Sequence, residues 1–232
     1  MKFKLAGQTT AQRRDLILSA SPIKTLLILS VPALMMSLLQ ALMPFSDGIF
    51  INRLTDHVTA SAVSFSQPII AIVLALGQGL SVGATAIIGQ LNGGGKIDES
   101  RKVATQIFVF GFVLGIISLP LLFFLGAWIS RSLKSDIAPL VFRYISLYQI
   151  VMPFSFMESI YNGIKNANGK PEAPFIRMLI MLIIKLVGNY IFLYVFRLGI
   201  DGCVLASFLS NLIVALWMFY DLFIKQTPDK LT

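Results

Sequence analysis

The sequence has little of the chemistry that catalysis and metal binding use: it contains one cysteine, Cys203, and one histidine, His57. A single cysteine excludes a disulfide within the chain and gives no support to a thiolate metal site. We expect Cys203, in an apolar segment, to be a small packing residue and His57 to be a solvated loop residue. Without an H-E-x-x-H motif or an evident pair of nucleophile and base, the sequence predicts neither a metal site nor an enzyme.

Charged residues are also scarce. They make up 13% of the 232 residues, whereas 56% are hydrophobic, and soluble domains carry about 25% charged residues. The mean hydropathy is +0.80. Several apolar stretches approach or exceed the roughly 20 residues that a helix needs to cross a bilayer. Because lipid offers no partner to open backbone groups, the sequence predicts an all-α, polytopic membrane protein.

The apolar stretches define six predicted membrane spans and the domain organisation. We predict a cytoplasmic N-terminal segment over residues 1–24, a six-helix transmembrane lobe over residues 25–224 and a cytoplasmic tail over residues 225–232. The first apolar run continues too far for a signal peptide, so we expect the first helix to be retained. The predicted spans are Thr25–Ile51, Ala60–Leu91, Ala104–Ile129, Ile137–Ile164, Phe175–Phe196 and Gly199–Ile224.

The formal net charge of +8 comes from basic residues that lie mostly between the apolar segments. That placement indicates membrane topology and not a basic face for nucleic acid, so no nucleic-acid partner is predicted. If both termini are cytoplasmic, the basic residues on the outer side are only Arg53, Arg131, Lys134 and Arg197, as the positive-inside rule favours. We therefore expect a multi-pass protein of the cell membrane with cytoplasmic N- and C-termini.

Prolines and glycines interrupt the predicted spans. Each internal proline removes a helical hydrogen bond and is expected to bend its helix, as happens in moving transporter helices and also in passive ones. These prolines are Pro32, Pro44, Pro68, Pro120 and Pro153. Gly79 and Gly83 have the spacing that allows two helix backbones to approach closely, so we expect close packing there.

The glycine-rich turn Gly93–Lys96 is not a nucleotide-binding loop. A P-loop needs a glycine and a serine or threonine where this chain has Gln90 and Ile97. Any transport must therefore draw its energy from an ion gradient or from the gradient of the substrate itself.

Three polar residues within the predicted spans could carry the chemistry of transport. Asp47 lies near the outer end of the first span, one turn after Pro44, where a carboxylate must be paired, protonated or open to water. Lys185 lies near the midpoint of the fifth span, and Asn189 follows it at i+4 on the same helical face. We hypothesise that Lys185 and Asn189 face the same cavity as Asp47, with the lysine either paired to Asp47 or displaced when substrate binds. The alternatives are an interfacial carboxylate at Asp47 and a lysine that bonds a neighbouring helix backbone.

Four other charged residues lie toward the ends of predicted spans: Arg143, Glu158, Asp201 and Asp221. Side chains in such positions can reach the lipid headgroups. Headgroup contact is a sufficient explanation for them, and we do not predict them as part of a site.

Four stretches of the sequence, in order, carry a family pattern. Asp47–Leu54 matches D-x-x-F-[VI]-G-x-L except that Asn52 replaces the glycine, and Gly77–Gly95 is similar to a G-x-G-x-x-x-G run followed by an L-G-A-G loop. Gly163–Pro174 is similar to the loop before a fifth helix. The segment from Gly199 to Ser210 is similar to the opening of a sixth. Together these stretches resemble the multidrug and toxic compound extrusion (MATE) family of antiporters.

The resemblance implies a fold and roles for particular residues. The family's transporters have two six-helix lobes that face each other across a central cavity, and this chain covers the first lobe. By resemblance, Asp47 binds the coupling cation, while Asn189, Lys185 and Asn211 line the substrate cavity. Many members read N-x-x-L-D in the fifth helix, where Asn189 matches the asparagine but Leu193 stands at the aspartate position. A coupling scheme with two carboxylates therefore cannot be transferred to this chain.

The expected function is that of a secondary antiporter, present as a half-length chain, that exports amphipathic, cationic organic compounds in exchange for protons or sodium. No cofactor other than the coupling ion is expected. The expected partners are the small-molecule substrate, membrane lipid, and a second lobe or homodimer partner that completes the cavity. One alternative is a flippase of lipid-linked saccharides, whose anionic headgroups would suit an unpaired Lys185. The other is a non-transporting fragment of a longer transporter.

Overall fold

The computed structural model describes residues 21–133 and 135–224. These residues form helices and no strand, and the six helices are long and apolar enough to cross a membrane, which confirms the predicted fold class. The predicted tail 225–232 and residues 1–20 of the predicted N-terminal segment lie outside the described residues. The helices are α1 (Pro22–Leu54), α2 (His57–Gly93), α3 (Ile97–Ser132), α4 (Ala138–Ala167), α5 (Glu172–Val195) and α6 (Gly199–Ile224).

Irregular turns occur in the last three helices. α4 changes to a 3-10 turn at Gln149–Val151, just before Pro153, whose missing N–H group favours such a break. α5 and α6 end in wider π-type turns at Tyr190–Val195 and Tyr220–Ile224. The first three helices continue without interruption past their internal prolines, Pro32, Pro44, Pro68 and Pro120.

The largest boundary difference lies at the start of α3. The predicted span begins at Ala104, but the helix begins at Ile97. Asp98 and Glu99 occupy its first turn, where carboxylates interact favourably with the positive end of the helix dipole. Arg101 forms an ion pair with Asp98 at 3.3 Å. Polar residues thus extend this helix beyond its apolar segment, which hydropathy alone does not reveal.

Successive helices run antiparallel, so their connections gather at two ends of the bundle. The Asp56 end carries the α1–α2, α3–α4 and α5–α6 connections, and there Arg143 of α4 donates two hydrogen bonds to Asp201 of α6. The Asn92 end carries the α2–α3 and α4–α5 connections. At that end Asn92 Nδ2 donates to Asn168 Oδ1 at 2.8 Å. The sequence predicts that the Asn92 end faces the cytoplasm.

α4 packs extensively against α2 and α3. The close approach to α3 depends on glycine, because a Cβ on Gly115 would lie 2.6 Å from Pro153 Cα. The close packing predicted for Gly79 and Gly83 is wrong. Both glycines are exposed, and a Cβ on either would meet no described atom within 4 Å.

The outside of the bundle is apolar. Phe124 and Trp128 of α3, for example, are each 69% exposed, as expected where lipid and not water is the solvent. Cys203 is fully buried in an apolar cluster, which confirms its predicted packing role. His57 is exposed as expected, but it begins α2 and does not lie in a loop.

Candidate functional site

A buried carboxylate, Asp47 of α1, is held by two side chains of α5. Asp47 is 2% exposed. Lys185 Nζ donates to Asp47 Oδ2 at 2.6 Å, and Asn189 Nδ2 donates to Asp47 Oδ1 at 2.9 Å. Because Lys185 and Asn189 are four residues apart, one face of α5 presents both donors to the same carboxylate. We call these three residues the Asp47 site.

The ion pair between Asp47 and Lys185 offsets the free-energy cost of burying both charges inside the bundle. Burying a carboxylate or an ammonium by itself costs several kcal/mol. Here the two charges are in contact, and Asn189 satisfies the second carboxylate oxygen. The predicted contact between Lys185 and Asp47 is present, so Asp47 is not an interfacial carboxylate and Lys185 does not depend on a neighbouring backbone. The roles of these residues in transport stay predictions.

The Asp47 site contains one carboxylate. Leu193, at the position where the family pattern has an aspartate, is 3% exposed and packs in an apolar cluster. Within residues 21–133 and 135–224, no group of three His, Cys, Asp or Glu side chains could hold a metal ion. Asn189 Oδ1 is buried and has no hydrogen-bond partner among the same residues. The Lys185 ammonium is the cationic group in contact with Asp47.

A cavity of about 520 Å³ adjoins the Asp47 site. Both Asp47 and Lys185 line its wall, whereas α3 contributes no lining residue. The wall combines amides and hydroxyls with methionines and aliphatic side chains, a mixture that suits amphipathic ligands. The lining residues are Gln40, Met43, Pro44, Asp47, Ser64, Gln67, Pro68, Ile70, Ala71, Leu74, Gln78, Tyr148, Ser155, Glu158, Ser159, Asn162, Met178, Met181, Lys185 and Asn211.

The other two residues predicted to line the cavity differ in their placement. Asn211 of α6 lies on the wall, held by its donation to Ser207 O at 2.9 Å and by a contact from Ser155 Oγ at 3.5 Å. Asn189 is fully buried and does not line the cavity, because its amide is directed to Asp47. Asn189 can therefore influence a ligand only indirectly, through its hydrogen bond to Asp47.

A polar stripe on α4 is the main feature that the sequence analysis missed. Ser155, Glu158, Ser159 and Asn162 all line the cavity and follow the i, i+3, i+4, i+7 spacing of one helical face. Arg177 of α5 donates from Nη2 to Glu158 Oε1 at 2.7 Å and to Asn162 Oδ1 at 3.2 Å. The headgroup explanation for Glu158 is therefore wrong. Its helical spacing was the available signal.

Asp221 is also part of the interior and not a headgroup contact. Its carboxylate forms an ion pair with Lys165 of α4 and accepts a hydrogen bond from Tyr161 at 3.0 Å. Arg177 lies 6.0 Å from the centre of the same tyrosine ring. These contacts join α4, α5 and α6 near the Asn92 end. By contrast, the Arg143–Asp201 pair at the Asp56 end is largely exposed.

Two prolines among the cavity-lining residues each leave one backbone carbonyl without its helical donor. Pro44 and Pro68 cannot donate the helical hydrogen bond to the carbonyls four residues earlier, which belong to Gln40 and Ser64. All four residues line the cavity. The cavity is therefore lined by two residues whose backbone carbonyls lack their usual helical donor.

Comparisons with known proteins agree with the residue pattern. The MatE family model matches residues 32–191. Multidrug export protein MepA of Staphylococcus saprophyticus is 25% identical over 215 residues, which cover 92% of this chain and 47% of that protein. The protein of the same name from Staphylococcus aureus is 27% identical over 212 residues, with 90% and 47% covered. The structure of a MOP superfamily transporter from Pyrococcus furiosus superimposes with a TM-score of 0.86 at 24% identity, covering 94% of this chain and 48% of that one.

The chain spans about half the length of the curated relatives it matches. The superposition shows a shared helical fold, and with the six apolar helices it indicates a multi-pass membrane protein. The family match covers more than half of the sequence and includes Asp47, Lys185 and Asn189. On this match, the chain belongs to the MatE family.

Proposed function

We propose that this chain forms a six-helix lobe of a transporter that exports amphipathic organic cations in exchange for protons or sodium. The observation that carries the proposal is the buried Asp47–Lys185 pair on the wall of a cavity of about 520 Å³. That volume lies in the range of small-molecule sites. The two MepA relatives are named as multidrug export proteins, which supports export as the direction of transport.

Ion coupling follows from competition for the Asp47 carboxylate. In the observed pair, the Lys185 ammonium neutralises Asp47. A proton or sodium ion that binds Asp47 takes over this neutralisation and leaves the ammonium at the cavity wall without its counter-ion. That ammonium then repels a cationic ligand in the same cavity. Binding of the coupling ion and release of the ligand are linked in this way, and the pair forms again when the ion leaves.

A second lobe completes the transporter in this proposal. Alternating access would come from rocking of the two lobes around a shared cavity. The second lobe belongs either to another copy of this chain, related by a two-fold axis, or to a different polypeptide. The mass of the purified protein in detergent and in nanodiscs, corrected for bound lipid, distinguishes a dimer of this chain from a monomer that needs another partner.

The test of the proposal is ion-coupled export by proteoliposomes. A fluorescent organic cation is loaded, a pH or sodium gradient is imposed, and Asp47→Asn is compared with the unmodified chain at equal protein content. Asp201→Asn is the matched control, because it removes a carboxylate from an exposed ion pair. We expect Asp47→Asn to lose gradient-dependent export and Asp201→Asn to retain it. Full ion-coupled export by Asp47→Asn would contradict the proposal.

The unpaired Lys185 that would support a lipid-linked saccharide flippase is not found. That alternative depended on an unpaired Lys185 to attract an anionic headgroup, but Lys185 is paired with Asp47 at 2.6 Å. Competition experiments separate the two functions directly. A lipid-linked saccharide that blocks export of the organic cation would favour the flippase.

A further inference from the structure

The cavity wall carries two ion pairs, and they present different charges to a ligand. Asp47 and Lys185 both line the cavity, so this pair presents both signs. In the second pair, Glu158 lines the cavity, but Arg177 is 0% exposed and is not a lining residue. The second pair therefore presents its acidic member to the cavity and keeps its basic member behind the wall.

The two carboxylates also differ in how many of their oxygens accept a hydrogen bond. Each oxygen of Asp47 accepts a short hydrogen bond, and the Asp47 side chain is 3% exposed. Glu158 is 13% exposed, and Arg177 donates to its Oε1 atom only. Among the described residues, no donor contacts Glu158 Oε2. Glu158 thus retains one oxygen without a donor, whereas both oxygens of Asp47 already accept a hydrogen bond from α5.

The surroundings of Glu158 suit a ligand that is cationic at one end and apolar elsewhere. Ser155, Ser159 and Asn162 place neutral polar groups beside the carboxylate on the same face of α4. Met178 and Met181 of α5 contribute adaptable apolar surface to the same cavity.

We propose that Glu158 binds the cationic group of the ligand, so that recognition of the ligand and ion coupling use different carboxylates. The inference rests on the proposed function and deepens it by assigning ligand specificity to Glu158 and coupling to Asp47. Arg177 is a positioning residue that holds the Glu158 side chain through one oxygen and leaves the other oxygen to the ligand.

The test measures ligand binding to the purified full chain without any ion gradient. Two dansyl probes are compared by fluorescence anisotropy: one carries a trimethylammonium group, and the other carries a neutral tert-butyl group of the same shape. Glu158→Gln, Glu158→Asp and the double variant Asp47→Asn/Lys185→Met, which leaves no unpaired ammonium at the cavity, are measured. Asp201→Asn is the control for loss of a carboxylate outside the cavity. The informative quantity is the ratio of the two dissociation constants for each variant.

We expect Glu158→Gln to weaken binding of the cationic probe by about tenfold or more, because it removes the negative charge that attracts the trimethylammonium group, and to leave binding of the neutral probe unchanged. Glu158→Asp and Asp201→Asn should retain the preference for the cationic probe. The inference is overturned if Glu158→Gln weakens binding of both probes equally, if the double variant Asp47→Asn/Lys185→Met alone abolishes the preference, or if the unmodified chain has no preference.

A second measurement uses the unmodified chain and does not depend on how the variants fold. A carbodiimide that modifies carboxyl groups is applied with either probe present, and modified residues are mapped by mass spectrometry. The cationic probe should protect Glu158 and the neutral probe should not, whereas equal modification would overturn the inference. Because neither measurement uses a gradient, full ion-coupled export by Asp47→Asn would contradict the proposed coupling, and a cation preference that depends on Glu158 would still support the role of Glu158.

Discussion

Lys185 and Asp47 lie 138 residues apart in the sequence and form an ion pair of 2.6 Å inside the helix bundle. The pair joins α1 to α5 at the wall of the cavity. Both side chains are almost fully buried, so neither charge can rely on water when its partner is removed. The pair is therefore a structural contact between α1 and α5, and in the proposed function the coupling ion acts at the same position.

Lys185→Met is expected to destabilise the folded chain by about 3–5 kcal/mol, because it leaves the Asp47 carboxylate buried without its counter-ion. Adding Asp47→Asn should recover much of that loss, since methionine and asparagine carry no charge. The four proteins of this double-mutant cycle are compared by thermal unfolding in detergent. Additive effects of the two substitutions would show that the ion pair does not form in the folded protein.

Gly115→Ala is expected to destabilise the chain by about 1–3 kcal/mol, because its Cβ would overlap the backbone of Pro153 and force α3 away from α4. Gly79→Ala is the matched control, since space is open around that glycine on the exposed face of α2. Unfolding temperatures measured side by side provide the comparison. Equal behaviour of the two alanine variants would contradict the close contact between α3 and α4.

Asp56 at the start of α2 predicts a pH dependence of stability. Hydrogen bonds from the Thr59 side chain and from Thr59 N, which lies 3.2 Å from Asp56 Oδ2, lower the pKa of the Asp56 carboxyl below its ordinary 3.8. A lowered folded-state pKa contributes stability that is present above the unfolded pKa and is lost as the pH falls through the folded value. Asp56→Ala should therefore lower the unfolding temperature at neutral pH and have less effect below pH 3.8.

Asp136→Ala serves as the control for the pH experiment, because Asp136 is an exposed carboxylate that begins no helix. Its substitution should change the unfolding temperature little at either pH. If Asp56→Ala and Asp136→Ala behave alike, the hydrogen bond at the start of α2 does not contribute to stability.

The sequence was sufficient to predict the membrane fold, because hydropathy over whole segments reports directly on burial in lipid. The pairing of Lys185 with Asp47 was also predicted from the sequence, since an ammonium deep in a membrane span needs a partner and few carboxylates lie within the spans. Hydropathy did not place the start of α3 correctly. The first turns of that helix are polar and are stabilised by Asp98 and Glu99.

The polar stripe of α4 could not be assigned from the sequence alone. Glu158 is close to a span end in sequence, where headgroup contact is a sufficient explanation, and only the packing of α5 brings Arg177 against it. Asn189 shows the opposite error, because its helical face was predicted correctly but its amide is covered by Asp47 and does not reach the cavity. Both outcomes depend on tertiary contacts that local spacing does not specify.

The most direct test of the central claim is the ion dependence of export by Lys185→Met, measured in proteoliposomes against the unmodified chain at equal amounts of folded protein. If Lys185 neutralises Asp47 and must be displaced by the coupling ion, removing the ammonium changes how export depends on pH and on sodium. We predict that the dependence of Lys185→Met on the imposed gradient differs from that of the unmodified chain. Export with an unchanged rate and unchanged ion dependence would contradict the account.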